Sequence, residues 1–158
     1  MRPTKSIDHS RTEQVHFLRY EDINGEGRLF GGKLLSWIDE VGGITARRHT
    51  GMKVTTAAID HLQFKSPAFL NQLVVVTGHV THVGNSSLEV QVDTWLEELD
   101  GRRHLMNRAY VTMVALDDHD QPTPIPCDIA IESESARGEW ESAIKRVELR
   151  KRRRQEGF

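Results

Sequence analysis

The sequence predicts an α+β fold in which one long central helix is wrapped by an antiparallel β-sheet, with a C-terminal tail helix. Three observations lead there. Only one long segment before the tail, Gly31 to His49, carries apolar residues at helical spacing. After it the pattern changes to a period of two, broken by turn signals. And Gly42 and Gly43 lie inside the helical segment, where each costs about 1 kcal/mol relative to alanine. Close packing of the helix against a sheet that curls around it offsets such a cost.

Residues 1–11 begin polar and basic and read as a flexible N-terminal arm. Val15 to Tyr20 reads as a first strand, and Asp22 to Gly27, rich in glycine and polar residues, as a loop. In the helix, Leu34, Ile38, Val41 and Thr45 form the apolar stripe, flanked by Leu35 and Ala46, and Gly51 stands where a C-terminal glycine stop belongs. Asp39 shares its face with Gly32, Ser36, Gly42 and Gly43, three, four and seven residues away, so its carboxylate stands among small residues. Glu40, by contrast, aligns with Lys33 and Arg47 in a solvated stripe.

Val54 to Phe64 is the next strand, rich in β-branched residues and ended by Pro67. Leu73 to Val83 follows, and Gly84-Asn85 signals a hairpin. Ser86 to Leu96 alternates, with Leu88, Val90, Val92 and Leu96 on one side and Glu89, Gln91 and Asp93 on the other. Asp100-Gly101 marks another turn, Leu105 to Leu116 the last long strand, and Pro122, Pro124 and Pro126 the close of the sheet. The four strands after the helix read as a hairpin succession. Residues 138–154 form the tail helix, with Trp140, Ile144 and Val147 as its stripe and Arg150 to Arg154 a basic run.

The chain has 158 residues, enough for one core and short for two. A net charge of −2 gives no general nucleic-acid signal. With a single cysteine, Cys127, no intrachain disulfide forms and no oxidising compartment is implied. The first twenty residues are charged throughout and lack an apolar core, against a signal peptide. The longest apolar runs, such as Leu73 to Val76, fall far below the ~20 residues a membrane span needs. A cytoplasmic protein is expected.

One joint pattern is specific. Asn24-Gly25-Glu26-Gly27-Arg28-Leu29-Phe30-Gly31-Gly32, then Leu34-Leu35 and Trp37-Ile38-Asp39-Glu40-Val41-Gly42-Gly43, resembles the hot-dog acyl-CoA hydrolases of the cytosolic, brain-type group and their single-domain bacterial relatives. Ala46 to His49, Val54 to Ala57, Asp60, Phe64 to Pro67, the Val83 to Ser87 hairpin and the basic tail fit as well. The resemblance runs from about Thr12 to Pro126. It implies a hot-dog acyl-CoA hydrolase domain over 12–127, with 128–158 as a basic helical tail. It further implies hydrolysis of a fatty acyl-CoA to fatty acid and coenzyme A, with Asp39 as the catalytic carboxylate and Asn24 as its polar partner. By the same resemblance, active sites form across a homodimer interface and dimers assemble to a hexamer, a trimer of dimers. Coenzyme A enters only as part of the substrate and no separate cofactor is expected.

Thioester hydrolysis needs an activated water or a direct nucleophile, stabilisation of the carbonyl oxygen, and a hold on the substrate. Asp39 suits the first, as general base or as nucleophile through a mixed anhydride. The helix begins near Gly31 and Gly32, whose unpaired backbone N–H groups at the positive end of the dipole suit an oxyanion hole. Asn24, a donor and an acceptor, suits orientation of water or carbonyl. Gly84, Asn85, Ser86 and Ser87 offer N–H and hydroxyl donors to the phosphates of coenzyme A, and Arg108 and the Lys65 region offer cations. The eight histidines show no metal-binding spacing, so no metal is expected. No Gly-x-Ser-x-Gly elbow is present. The competing expectation is a non-catalytic acyl-CoA-binding or sensor module, which has no use for a carboxylate beside the thioester.

Overall fold

A computed structural model describes all residues, 1–158. The helical spacing between the loop and the first β-rich segment produces α1 (Gly31–Thr50), whose stripe of Leu34, Ile38, Val41 and Thr45 is buried. It ends where Gly51 takes the left-handed conformation at φ 70° and its N–H donates to Arg47 O at 2.8 Å. Around it lies a five-stranded antiparallel sheet in the order β2 (Thr12–Phe17), β4 (Leu73–Val83), β5 (Ser87–Glu97), β6 (Arg103–Leu116) and β3 (Lys53–Asp60).

This order corrects the expected hairpin succession. Only β4, β5 and β6 follow one another as hairpins. β3 pairs with β6, Lys53 opposite Leu116, and so lies at the far edge from β2. Residues 61–72 carry the chain from one edge of the sheet back toward the other.

The helix contacts the sheet without a spacing layer. A Cβ on Gly42 would stand 3.2 Å from Val111 Cγ1, and one on Gly78 of β4 would stand 2.7 Å from both Val41 Cγ1 and Thr45 Oγ1. The interior glycine therefore serves the close approach expected from its cost. Gly43 is looser, 3.8 Å from Met113 Cε by the same measure.

The N-terminal residues depart from the flexible arm. β1 (Thr4–Ser6) pairs in parallel with β7 (Asp128–Ala130), and Arg2 donates to Gly84 O at 2.6 Å and to Asp128 Oδ2 at 2.9 Å. Backbone pairing holds a segment that composition alone reads as free. The tail helix α2 (Glu134–Glu156) also starts earlier than expected, because Ser133 caps it by accepting from Ala136 N at 3.1 Å.

α2 lies on the sheet's outer face, where its arginines cover Glu89, while Arg108 of β6 covers Asp93; Glu89, Gln91 and Asp93 are buried along with the apolar face of β5. Glu89, 1% exposed, accepts from Arg146 Nη2 and Thr81 Oγ1, both at 2.7 Å. Arg150 bridges Glu89 and Asp60, and Arg153 reaches Asp60 at 3.0 Å. Arg146 also lies 3.5 Å over the Tyr110 ring. No helix is long and apolar enough to cross a membrane.

His49, wholly buried near the end of α1, meets Ser10 Oγ through Nδ1 at 3.2 Å, while its backbone oxygen accepts from Lys5 Nζ and from the buried Cys127 thiol. Burial holds the imidazole pKa below 6.5, against the opposing pull of Asp128. His16 and His82 are lowered by burial in the same way.

Two stability predictions result. Arg146→Ala, which strips a buried carboxylate of its closest cation, lowers the unfolding free energy in urea by about 3 kcal/mol. The double change Glu89→Leu, Arg146→Met loses much less, and equal losses would show that packing rather than charge is at stake. Because the histidine pKa values are depressed in the fold, their stabilising effect is complete above pH ~6.5 and is lost as pH falls below it. Thermal melts between pH 7.5 and 5.5 should show a falling Tm, with a shallower slope in His49→Gln.

Candidate active site

Asp39 lies on the flank of the buried stripe of α1, and its side chain is exposed. It takes part in no ion pair with any lysine, arginine or histidine. Its Oδ1 accepts instead from the hydroxyl of Thr56 on β3. Thr56 faces the helix because it pairs with Met113, whose sulfur it also meets at 3.4 Å. A bulge follows immediately, since the register of β3 on β6 shifts between Thr56 and Ala58. The arrangement leaves Oδ2 of Asp39 without a partner in the chain. A carboxylate oriented by one hydroxyl and otherwise unneutralised is equipped to take a proton or to attack.

Asn24 occupies the loop before the helix, and its own side chain organises that loop. Oδ1 accepts from Glu26 N at 2.9 Å and Arg28 N at 3.2 Å, while Asn24 N donates to Arg28 O at 2.7 Å. With the carbonyl oxygen so used, the amide NH2 is the group left to face outward. Phe30 N donates to Asp22 O at 2.8 Å, and the first helical carbonyl bonds run from Lys33 N and Leu34 N back to Phe30 O. The N–H groups of Gly31 and Gly32 donate to nothing in the chain, as expected for a helix start. A Cβ on Gly31 would stand 3.6 Å from the Phe64 ring, and one on Gly32 2.7 Å from Phe30 Cε1.

Asn24 and Gly31 line one groove, of about 270 Å3, with Phe64, Lys65 and Met106 among its walls. Asp39 does not line it: at 1.5 Å rise per residue it stands roughly 12 Å farther along α1 than Gly31. One chain therefore presents the helix-start donors and the carboxylate as two separate pieces.

The expected coenzyme-binding residues lie elsewhere. The Gly84 to Ser87 hairpin sits at the opposite end of the sheet, near the C-terminal end of α1, and its carbonyls are engaged. Gly84 O accepts from Arg2, Asn85 O from Ile125 N and Ser86 O from Ala115 N. Arg108 is on the outer face of the sheet, away from α1, opposite Asp93 in the β5–β6 register. It donates to both Asp93 oxygens at 2.7 and 3.0 Å, and this pairing raises its already high pKa. Asp93 thus holds Arg108 on the outer face, apart from the groove that Asn24 and Gly31 line.

Residues 26–101 match the thioesterase superfamily. An uncharacterized acyl-CoA thioester hydrolase of Bacillus subtilis is 37% identical over 134 residues, which are 84% of this chain and 77% of that protein. The crystal structure of an apo-hexameric acyl-CoA thioesterase superposes with a TM-score of 0.89 at 37% identity, covering 96% of this chain and 97% of that one. An acyl-CoA hydrolase from Staphylococcus aureus, in complex with butyryl coenzyme A, coenzyme A and coenzyme A disulfide, superposes at 0.91 with 33% identity over 98% and 94% of the two chains. The same S. aureus enzyme has been solved with an aspartate, with a threonine and, bound to coenzyme A, with an asparagine replaced by alanine. The chain belongs to the thioesterase superfamily and has its hot-dog fold. It is accordingly a thioester hydrolase.

Thr56 is the residue that sequence reading passed over. It stood within a matched segment, but only the β3–β6 register shows that its hydroxyl turns toward Asp39.

Proposed function

We propose that this protein hydrolyses acyl-CoA to a free carboxylic acid and coenzyme A, with Asp39 as general base, oriented by Thr56, and with Asn24 and the Gly31 and Gly32 N–H groups receiving the thioester. The observation that carries this reading is the unneutralised Asp39 carboxylate held by the Thr56 hydroxyl. Support comes from the relatives: the asparagine, aspartate and threonine altered in the S. aureus hydrolase are spaced along that chain as Asn24, Asp39 and Thr56 are here.

In this scheme Oδ2 of Asp39 takes a proton from water as the water oxygen attacks the thioester carbon. The carbonyl oxygen gains negative charge against the helix-start N–H groups, where loss of one donor typically costs about 100- to 1000-fold in rate. Collapse breaks the C–S bond, and the proton passes to the leaving thiolate. The alternative route, attack by Asp39 itself with departure of the thiolate to give a mixed anhydride, uses the same carboxylate and places solvent oxygen in Asp39 when labelled water then opens the anhydride at the Asp39 carboxyl carbon.

Because the two pieces of the site lie apart in one chain, the complete site requires a second copy, whose Asp39 meets the first chain's Asn24 and Gly31. The unpaired edge of β3, beside Thr56, is the surface this reading assigns to that contact. A homodimer as the functional unit, assembled into a hexamer as in the apo-hexameric relative, fits this scheme.

Thiol release from a graded series of acyl-CoAs tests the function. The wild type should turn over, and Asp39→Ala should lose about 100- to 10,000-fold in kcat while keeping its oligomeric state. Thr56→Val should lose activity that Thr56→Ser restores. Saturable binding without turnover would replace this reading with that of an acyl-CoA-binding module.

A further inference from the structure

The groove beside Asn24 has a feature the catalytic scheme leaves unused. Its two walls, the loop ending at Leu29 and the segment Phe64 to Ala68, are joined by backbone: Leu29 N donates to Ala68 O at 2.7 Å, and Arg28 forms a bridge with Phe69. The groove is thus set by hydrogen bonds rather than by side chains that fold away. Leu34 and Met106 give it an apolar base, and the large ring of Phe64 is 60% exposed at its wall.

Two cations line it, one from each wall, Arg28 and Lys65. Neither has a carboxylate within ion-pairing distance. Arg28 lies instead 5.9 Å over the Phe69 ring, which holds the guanidinium near its place without neutralising it. This contrasts with Arg103, Arg108, Arg146 and Arg150, each committed to carboxylates. A preformed apolar groove with two unneutralised cations matches a ligand that is part apolar and part polyanionic.

We propose that Arg28 and Lys65 form a cationic clamp for the phosphates of the substrate's coenzyme arm, with the apolar base of the groove taking the adjoining pantetheine. This rests on the reading of the protein as an acyl-CoA hydrolase. It moves the phosphate contact away from Arg108 and the Gly84 to Ser87 hairpin, to a groove that already contains Asn24 and Gly31. An acyl chain would use the apolar base but has no use for the cations, and this difference makes the two occupants separable.

The test compares one acyl group on two carriers, as its coenzyme A thioester and as its N-acetylcysteamine thioester, which lacks phosphates. Steady-state kinetics would be measured for wild type, Arg28→Ala, Lys65→Ala, the double variant and Arg28→Lys. The clamp predicts that KM for the acyl-CoA rises about tenfold per cation removed, with kcat nearly constant. KM for the N-acetylcysteamine thioester should not move, and Arg28→Lys should recover part of the loss. In wild type the acyl-CoA KM should climb with salt, and the double variant should lose that dependence. Unchanged acyl-CoA KM in the double variant would overturn the clamp while leaving the hydrolase reading intact. Equal rises on both carriers would overturn it in favour of an acyl-chain groove. Absence of turnover by wild type on either carrier would remove the hydrolase reading itself, and the clamp with it.

Discussion

Everything in this protein is arranged around the direct contact of α1 with the sheet. At Gly78 there is no room for a methyl group between helix and strands, and at Gly42 one would fit only if Val111 gave way. Interiors packed this closely transmit small displacements rather than absorbing them, and an added methylene typically costs about 1–3 kcal/mol. The contact therefore sets how α1 is rotated as well as how near it lies. Rotation is what matters for chemistry. With Ile38, Val41 and Thr45 directed into the core, Asp39 is left on the flank, beside Thr56 of β3. The bulge after Thr56 then turns the strand away on the outer side of that pair.

The opposite face of the sheet is held by different physics. There α2 brings arginines down onto Glu89 and Asp60, a charged interface placed where a two-layer fold of this size would otherwise show solvent. Such a network favours one seating of the tail helix, since a buried carboxylate tolerates few positions of its partners. Asp60 ends β3, so the network also pins the strand that carries Thr56. The two faces thus meet in β3: one side supports the Asp39 carboxylate and the other is fastened by the tail.

Much of this was legible in the sequence. The stripe of α1, the Gly51 stop, the Leu73 to Val83 strand and the cost of the interior glycine all follow from local periodicity and backbone preference, and all appear in the fold. What was not legible depends on partners far along the chain. The pairing of β3 with β6, rather than with β4, has no local signal, because a period of two does not name its neighbour. The ordering of Thr4 to Ser6 depends on Asp128 to Ala130, more than a hundred residues away. Arg108 looked like a free cation because nothing near it in sequence announces that Asp93 lies directly opposite. At the site, Asp39 was marked by its small-residue face, whereas Thr56 became visible only through register.

On the proposed reading the site is completed by two chains, the Asn24 loop and helix start of one meeting Asp39 of the other. Mixing subunits tests it most directly. Asn24→Ala and Asp39→Ala proteins, each inactive alone, would be co-expressed with different affinity tags, and the doubly tagged species assayed for thiol release. If the site is shared, a mixed dimer holds one intact site of two, and the doubly tagged dimer regains about half of wild-type activity. If each chain builds its own site, every site in the mixture lacks one group, and the mixed species stays as inactive as its parents.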